Sequence, residues 1–300
     1  MVIEISRILV ALDGSETSDY ALNVAVKIGE VETSTIDLLH VTGARSQVVS
    51  ATPVFDPILG SSAVMIPARA QTGADTERGK KSLLDDRRVL VLAQNLQCNT
   101  VLIESDDVSG EILKLASSGK YDLAVLGSRG LGGIKGFLLG SISQKVAKES
   151  KIPVLIVKQR VEGIPKILLG YDGSDEGKKA LDFAISLGKK FKAQVRVATI
   201  VSVPISPDAY VVTDIDRWEK EATEQNNNAV SALKAEEINA DGRVLDYADI
   251  SRGLSEQVEK GSFDFLIVGS KGRGRLKSFL LGSVASGVAN SAKTNVLIAR

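Results

Sequence analysis

The sequence predicts an α/β protein built from two tandem Rossmann-like domains, each a five-stranded parallel sheet with helices on both faces. Three observations lead there. Short apolar runs alternate with longer segments of helical periodicity along the whole chain, which implies βαβ units with right-handed crossovers. The order of these segments occurs twice, so that Ile8-Leu9-Val10-Ala11-Leu12-Asp13-Gly14-Ser15 is answered by Ile167-Leu168-Leu169-Gly170-Tyr171-Asp172-Gly173-Ser174. A fifteen-residue glycine pattern is duplicated as well, 142 positions apart.

Within the first copy the elements follow in order. Arg7 to Leu12 is a continuous apolar run, as the buried centre of a parallel sheet requires. Ser15 to Gly29 reads as an amphipathic helix capped by Ser15 or Thr17. Thr35 to Val41 is the second strand. Lys80 to Leu96 is the second helix, with Leu83, Leu84, Leu90 and Leu92 as its apolar positions. Thr100 to Glu104 is a strand, Gly110 to Ser118 a short helix, and Leu123 to Gly127 a fourth strand. Gly140 to Ser150 forms the last helix and Pro153 to Val157 the last strand. The second copy repeats this order.

The two copies divide the chain into a domain over 1–159 and a domain over 164–300, sizes that each suit a single core. The offset between copies falls from 159 at the first strand to 142 at the glycine pattern, so the first copy is 17 residues longer in its middle. The surplus lies in Arg45 to Thr76, rich in Ser, Thr, Ala, Gly and Pro, and is expected to be a surface excursion. The join from Gln159 to Gly163 is short and polar, which implies domains packed on one another.

The duplicated pattern carries the chemistry. Gly127-Ser-Arg-Gly130 is followed by nine residues and Gly140-Ser141; Gly269-Ser-Lys-Gly272 is followed by nine residues and Gly282-Ser283. A strand, a glycine turn and a helix start, in that order, let backbone N–H groups approach a phosphate while the helix dipole favours negative charge. Asp13, Asp172 and the first glycines all fall at strand ends, where open α/β sheets hold their ligands. The simpler readings stay beside this one: the glycines could serve only the turn, and the aspartates only an Asx turn.

Composition narrows the classes. Formal net charge is zero, with 37 basic and 37 acidic residues, so a generic nucleic-acid binder is not expected. No run approaches 18 apolar residues and the first residues do not resemble a signal peptide, so neither a membrane span nor export is expected. The single cysteine, Cys98, suits a reducing cytoplasm and reads as structural. His40 is the only histidine and reads as packing, and no His-Cys cluster for zinc exists. Trp218, between charged residues, says nothing by itself.

Taken together, the Asp-Gly-Ser openings, Leu39-His40-Val41, the two glycine patterns and the closing Pro153-Val-Leu-Ile resemble the universal stress protein family, in its tandem two-domain form and its ATP-binding branch. The resemblance covers nearly the whole chain. It implies domain pairing through the last strand, and ATP, AMP or another adenine nucleotide as ligand, with Mg²⁺ or Mn²⁺ as the candidate divalent ions. It implies Asp13 and Asp172 near the ribose and any metal, and backbone groups of Val41 and Ile200 facing adenine. It further implies Gly127, Gly130, Gly140, Ser141, Ile142 and Ser143 on ribose and phosphates in the first copy. Gly269, Gly272, Gly282, Ser283 and Val284 would do so in the second. Arg129 and Lys271, with Lys135 and Lys277, are candidates to offset phosphate charge.

The copies differ. Ser143 becomes Ala285, Gly133 becomes Arg275, Gly136 becomes Ser278, and Leu12 becomes Tyr171, which would line or fill the adenine side. Unequal affinities are expected, with the first site favoured. The leading function is a nucleotide-binding stress-response regulator. The alternatives are a nucleotide-free interaction scaffold and a slow metal-dependent ATP hydrolase. No Gly-x-x-x-x-Gly-Lys-Ser/Thr loop is present, so a Walker-type ATPase is excluded, and no catalytic residue is named. A homodimer of chains is a further expectation.

Overall fold

The computed structural model describes residues 3–43, 73–129, 139–202, 215–272 and 281–300, with 73–80 and 215 described by backbone alone. Gly130, Gly133, Lys135, Gly136, Arg275, Lys277, Ser278 and the expected excursion up to residue 72 lie outside the described residues. The first half carries strands β1 (Arg7–Ala11), β2 (Thr35–Thr42), β3 (Cys98–Glu104), β4 (Leu123–Gly127) and β5 (Val154–Val157). Its helices are α1 (Glu16–Glu32), α2 (Gly73–Leu92), α3 (Val108–Ala116) and α4 (Ser141–Glu149). The second half repeats them as β6 (Lys166–Gly170), α5 (Asp175–Phe191), β7 (Gln194–Val201), α6 (Ile215–Ala235) and β8 (Ala240–Asp246). It then closes with α7 (Ile250–Gly261), β9 (Phe265–Gly269), α8 (Ser283–Ser291) and β10 (Asn295–Ala299).

All these strands form one sheet in the order β3-β2-β1-β4-β5-β10-β9-β6-β7-β8. Pairing is parallel within each half. At the centre β5 and β10 run antiparallel, with Leu155 opposite Leu297. The two expected five-stranded sheets are therefore continuous with each other.

Helices cover both faces. One core holds Ala21, Val24 and Ile28 of α1, Leu84 and Val91 of α2, and Phe183 and Leu187 of α5. The other holds Ile112 of α3, Val146 of α4, Leu254 of α7 and Val288 of α8. Strands buried on both sides explain their unbroken apolar sequences, since each such side chain stabilises by about 1.5–3 kcal/mol when taken from water.

Local signals set the ends. Ser15 accepts the N–H of Ser18 and caps α1, and Ser174 accepts that of Gly177 and caps α5. Helix α2 departs from the sequence expectation. It starts at Gly73, seven residues before Lys80, and ends at Leu92 rather than Leu96. Leu90 and Leu92 were expected to face the core but are 59% and 45% exposed, while Val91 is fully buried. Successive helical residues turn by about 100°, so the run Val89 to Leu92 can present only one of its members to the sheet.

Charged groups brace the seam between halves. Lys158 follows β5 and donates from Nζ to the Ala292 carbonyl at the end of α8 (2.5 Å). Its pseudo-symmetric mate Arg300, after β10, donates to the Ala147 carbonyl of α4. Asn295 stands where the first copy has Pro153. Its Oδ1 accepts the N–H groups of Lys158 (2.9 Å) and Gln159 (3.1 Å), fixing the exit of β5. Burial, with Arg129 adding repulsion, pushes the Lys158 ammonium down to about 8. At the amino ends of the first strands, buried Asp37 accepts from Arg7 (2.7 Å), Asn99 (2.8 Å) and Tyr121 (2.8 Å). Burial alone would raise its pKa, but these hydrogen bonds hold it below the ordinary carboxylate value.

Candidate functional site

In each half the strand following the chain's reversal of direction lies beside the first strand: β4 beside β1, and β9 beside β6. Helix α1 leaves β1 on one face and α4 follows β4 on the other, so the carboxyl ends of the two strands part and leave a crevice. The second half does the same with α5 and α8. The first crevice is a cavity of about 400 Å³ and the second one of about 550 Å³.

Nearly all the residues singled out from the sequence meet there. Asp13, Val41, Gly127, Arg129, Gly140, Ser141, Ile142 and Ser143 line the first cavity. Asp172, Ile200, Gly269, Lys271, Gly272, Gly282, Ser283 and Val284 line the second. Gly130 lies outside the described residues. The apolar walls were not foreseen. Leu39, Val108 and Ile112 contribute to the first, and Ile250 and Leu254 to the second. Val108, Ile112, Ile250 and Leu254 come from α3 and α7, whose apolar faces gave no hint of anything beyond packing.

Each aspartate is oriented by the turn that follows it. Asp13 Oδ1 accepts both the N–H (3.0 Å) and the hydroxyl (2.6 Å) of Ser15. Asp172 Oδ1 accepts the same groups of Ser174 at 3.0 and 2.6 Å. Gly14 and Gly173 between them sit at φ +81° and +74°, a left-handed conformation that favours glycine. The Asx turn and the crevice position hold together: the turn aims the carboxylate.

The glycines of the pattern do different things. A Cβ on Gly127 would lie 2.7 Å from the Thr17 carbonyl carbon and 2.8 Å from the Ser18 nitrogen. One on Gly269 would lie 2.7 Å from the Glu176 carbonyl carbon and 2.9 Å from the Gly177 nitrogen. The first glycine of each pattern therefore seats the first turn of α1 or α5 against the sheet. Gly272 has a different neighbour, since a Cβ there would meet Asp172 Oδ2 at 2.7 Å. Its bare backbone lets the carboxylate close on the loop.

Gly140 and Gly282 are the N-caps of α4 and α8, and neither has a side-chain capping bond. Helices α1, α3, α5 and α7 are all capped by a Ser or Asp oxygen. The first bond of each uncapped helix runs from Gln144 N–H to the Gly140 carbonyl (2.8 Å), or from Ser286 N–H to the Gly282 carbonyl (2.9 Å). The N–H groups of Ser141, Ile142 and Ser143, and of Ser283, Val284 and Ala285, precede those bonds and belong to the orphan donors of a helix start. These residues line the cavities at the positive end of the helix dipole.

The Ser143 hydroxyl is engaged elsewhere: it donates to the Gly127 carbonyl at 2.6 Å. Its replacement by Ala285 removes that brace, not only a ligand contact. The Arg129 carbonyl accepts from Ser15 Oγ (3.2 Å) and from the Thr17 hydroxyl, so the loop is tied to α1. Tyr171 lines the second cavity beside Asp172.

His40 and Cys98, read from the sequence as packing and structural, both make internal contacts. His40 Nδ1 donates to the Leu12 carbonyl at 2.7 Å. Cys98 is buried, and burial pushes its thiol up to about 11. Among the described residues no group of three or more His, Cys, Asp or Glu side chains is placed to hold a metal by itself. No described helix is long and apolar enough to cross a membrane.

Comparison with known proteins agrees with this layout. The model of the universal stress protein family matches residues 4–158 and again 163–300. The universal stress protein YxiE of Bacillus subtilis is 32% identical over 155 residues, 51% of this chain and 99% of its own length. A universal stress protein of Mycolicibacterium smegmatis is 27% identical over 98% of this chain and 96% of its own. The crystal structure of a universal stress protein from Archaeoglobus fulgidus superposes with a TM-score of 0.71 at 20% identity. It covers all of this chain with 97% of its own, and at that identity shows the fold alone.

Proposed function

The chain belongs to the universal stress protein family through both of its halves, and on that premise we propose that it is an adenine-nucleotide-binding regulatory module of the cytoplasm with one site in each half. ATP is the ligand put first. One observation carries the reading. In both halves an uncapped helix start and a turn-held carboxylate face each other across an open cavity of 400 to 550 Å³. A scaffold with collapsed pockets needs neither the space nor the uncapped donors.

The first-turn N–H groups of α4 and α8 would receive phosphates, with Arg129 and Lys271 beside them. Val41 and Ile200, at the ends of β2 and β7, would lie along the base. Asp13 and Asp172 would face the ribose. A nucleotide-borne Mg²⁺ or Mn²⁺ asks for only one or two protein carboxylates, because phosphates and water complete its shell. One aspartate per crevice fits that requirement, and the ion would there offset phosphate charge. A switch needs only that nucleotide bind two states unequally.

The test is the nucleotide released from purified, denatured protein, with calorimetric stoichiometry for ATP, AMP and cyclic AMP in Mg²⁺ or Mn²⁺. Two equivalents per chain are expected, falling to one in Gly140→Val or Gly282→Val. No binding at millimolar ATP overturns the proposal. The mass of the chain in solution tests the homodimer.

A further inference from the structure

The second cavity has a wall built by the helix after the second strand of its half. In the second half, Trp218, Glu221, Ala222 and Gln225 of α6 all line the cavity. Their spacing of three, four and seven residues places them on one face of the helix. Among the described side chains of α2, those from Lys81 onward, none lines the first cavity. By the 142-residue offset, Thr76 stands at the position of Trp218 and Leu83 at that of Gln225. The geometry supports the second correspondence: Leu83 Cδ1 closes on Gly14 at 2.9 Å from a Cβ there, as Gln225 Oε1 closes on Gly173 at 2.7 Å.

Helix α6 is held firmly where it stands. Buried Asn226 donates from Nδ2 to the Val197 carbonyl (3.1 Å), Thr199 Oγ1 (3.1 Å) and the Arg243 carbonyl (3.2 Å). Ala229 and Leu233 of the same helix are buried in the core. The amino end of α6 thus overhangs the carboxyl end of β7. Trp218, in its first turns, is 38% exposed yet borders the cavity. The start of α8 lies on the opposite face of the sheet. A ligand whose phosphates meet Ser283 and Val284 therefore extends its other end towards Thr199–Ser202 and the indole. Glu221 beside the indole disfavours a phosphate chain at that end and fixes the direction.

Resting on the nucleotide reading above, we propose that Trp218 is the nucleobase platform of the second site, at a position where the sequence of the first half has Thr76. An indole face offers an apolar plane to any purine or pyrimidine. Because this is the chain's single tryptophan, its emission reports on the second site alone.

The experiment titrates the full chain with ATP and, separately, with inorganic tripolyphosphate, following tryptophan emission and heat together. Saturable change in emission with ATP is expected in the wild type and in Gly140→Val, and none in Gly282→Val. Tripolyphosphate should bind without moving the emission. In the Gly140→Val background, Trp218→Ala should weaken ATP about fivefold or more, with Trp218→Phe keeping most of the affinity and tripolyphosphate unaffected. Thermal melts verify that each variant is folded. If calorimetry shows ATP in the second site while emission stays flat and Trp218→Ala binds as tightly as its parent, the platform is refuted and the nucleotide reading stands. If ATP binds to no version of the chain, both fall.

Discussion

Replacing Gly269 by alanine separates two explanations of the glycine pattern. The added Cβ would lie 2.7 Å from the Glu176 carbonyl carbon, 2.8 Å from its oxygen and 2.9 Å from the Gly177 nitrogen. All three are backbone atoms of the first turn of α5, so no side chain can swing aside. Relief to an ordinary contact asks the helix to retreat by several tenths of an ångström. Phe183, Ala184 and Leu187 hold it to the core and resist that movement. Overpacking of this kind costs about 1–3 kcal/mol. In a domain of this size that lowers the melting temperature by roughly 2–4 °C per kcal/mol. Gly282→Ala is the control. Its Cβ would meet the Ser270 carbonyl oxygen at 3.2 Å and Lys271 Cα at 3.3 Å, and its backbone is extended, so about 1 kcal/mol or less is expected. The assay is thermal unfolding without nucleotide, followed by ATP titration. A Gly269→Ala protein that melts like the wild type but no longer binds ATP would refute the helix-seat account and make Gly269 a ligand contact.

Three further outcomes follow from the charged and buried groups. Lys158 has a folded pKa of about 8 against an ordinary 10.5, so between those values the unfolded chain binds more protons and stability rises with pH. The gain is about 3 kcal/mol, complete above 10.5 and lost as pH falls through 8; urea unfolding from pH 7 to 10 should show it in the wild type and not in Lys158→Met. Asp37→Ala should cost about 3 kcal/mol at pH 7, and the gap to wild type should close as pH falls below about 4, because the stability a lowered carboxylate supplies is lost through its folded pKa. The Cys98 thiol, buried and raised to about 11, should resist alkylation at pH 8 in the native protein and react at once in urea.

The inner strands were legible because a parallel strand buried on both faces admits little but Val, Ile, Leu and Ala, and Asp-Gly or Gly-Ser turns mark the ends of β1, β4, β6 and β9. The start of α2 was not: residues 73–80 carry no apolar period from which a helix could be read. The run Val89 to Leu92 hid which side chain faces inward, because an overfull apolar stretch fits any phase. That these residues gather in crevices at strand ends was legible, since turn chemistry and ligand chemistry both ask for glycine there. For the same reason their division of labour was not. That Gly127 seats a helix depends on which backbone crosses it, and that Trp218 borders a cavity depends on where α6 lies over β7. Both are tertiary facts. The Pro153-to-Asn295 difference likewise acquired meaning only once the strand exits at Lys158 and Gln159 came beside it.

The antiparallel meeting of β5 and β10 turns the second half end for end relative to the first. Carboxyl ends of the first five strands point one way along the sheet, and those of the last five point the other. The two crevices therefore open on opposite rims of the molecule. No single ligand spans them, and a flat partner surface meets one rim at a time. A chain of this shape can present one crevice to each of two neighbours at once. Between the rims lie the central strands and the Lys158 and Arg300 side chains that bond across them.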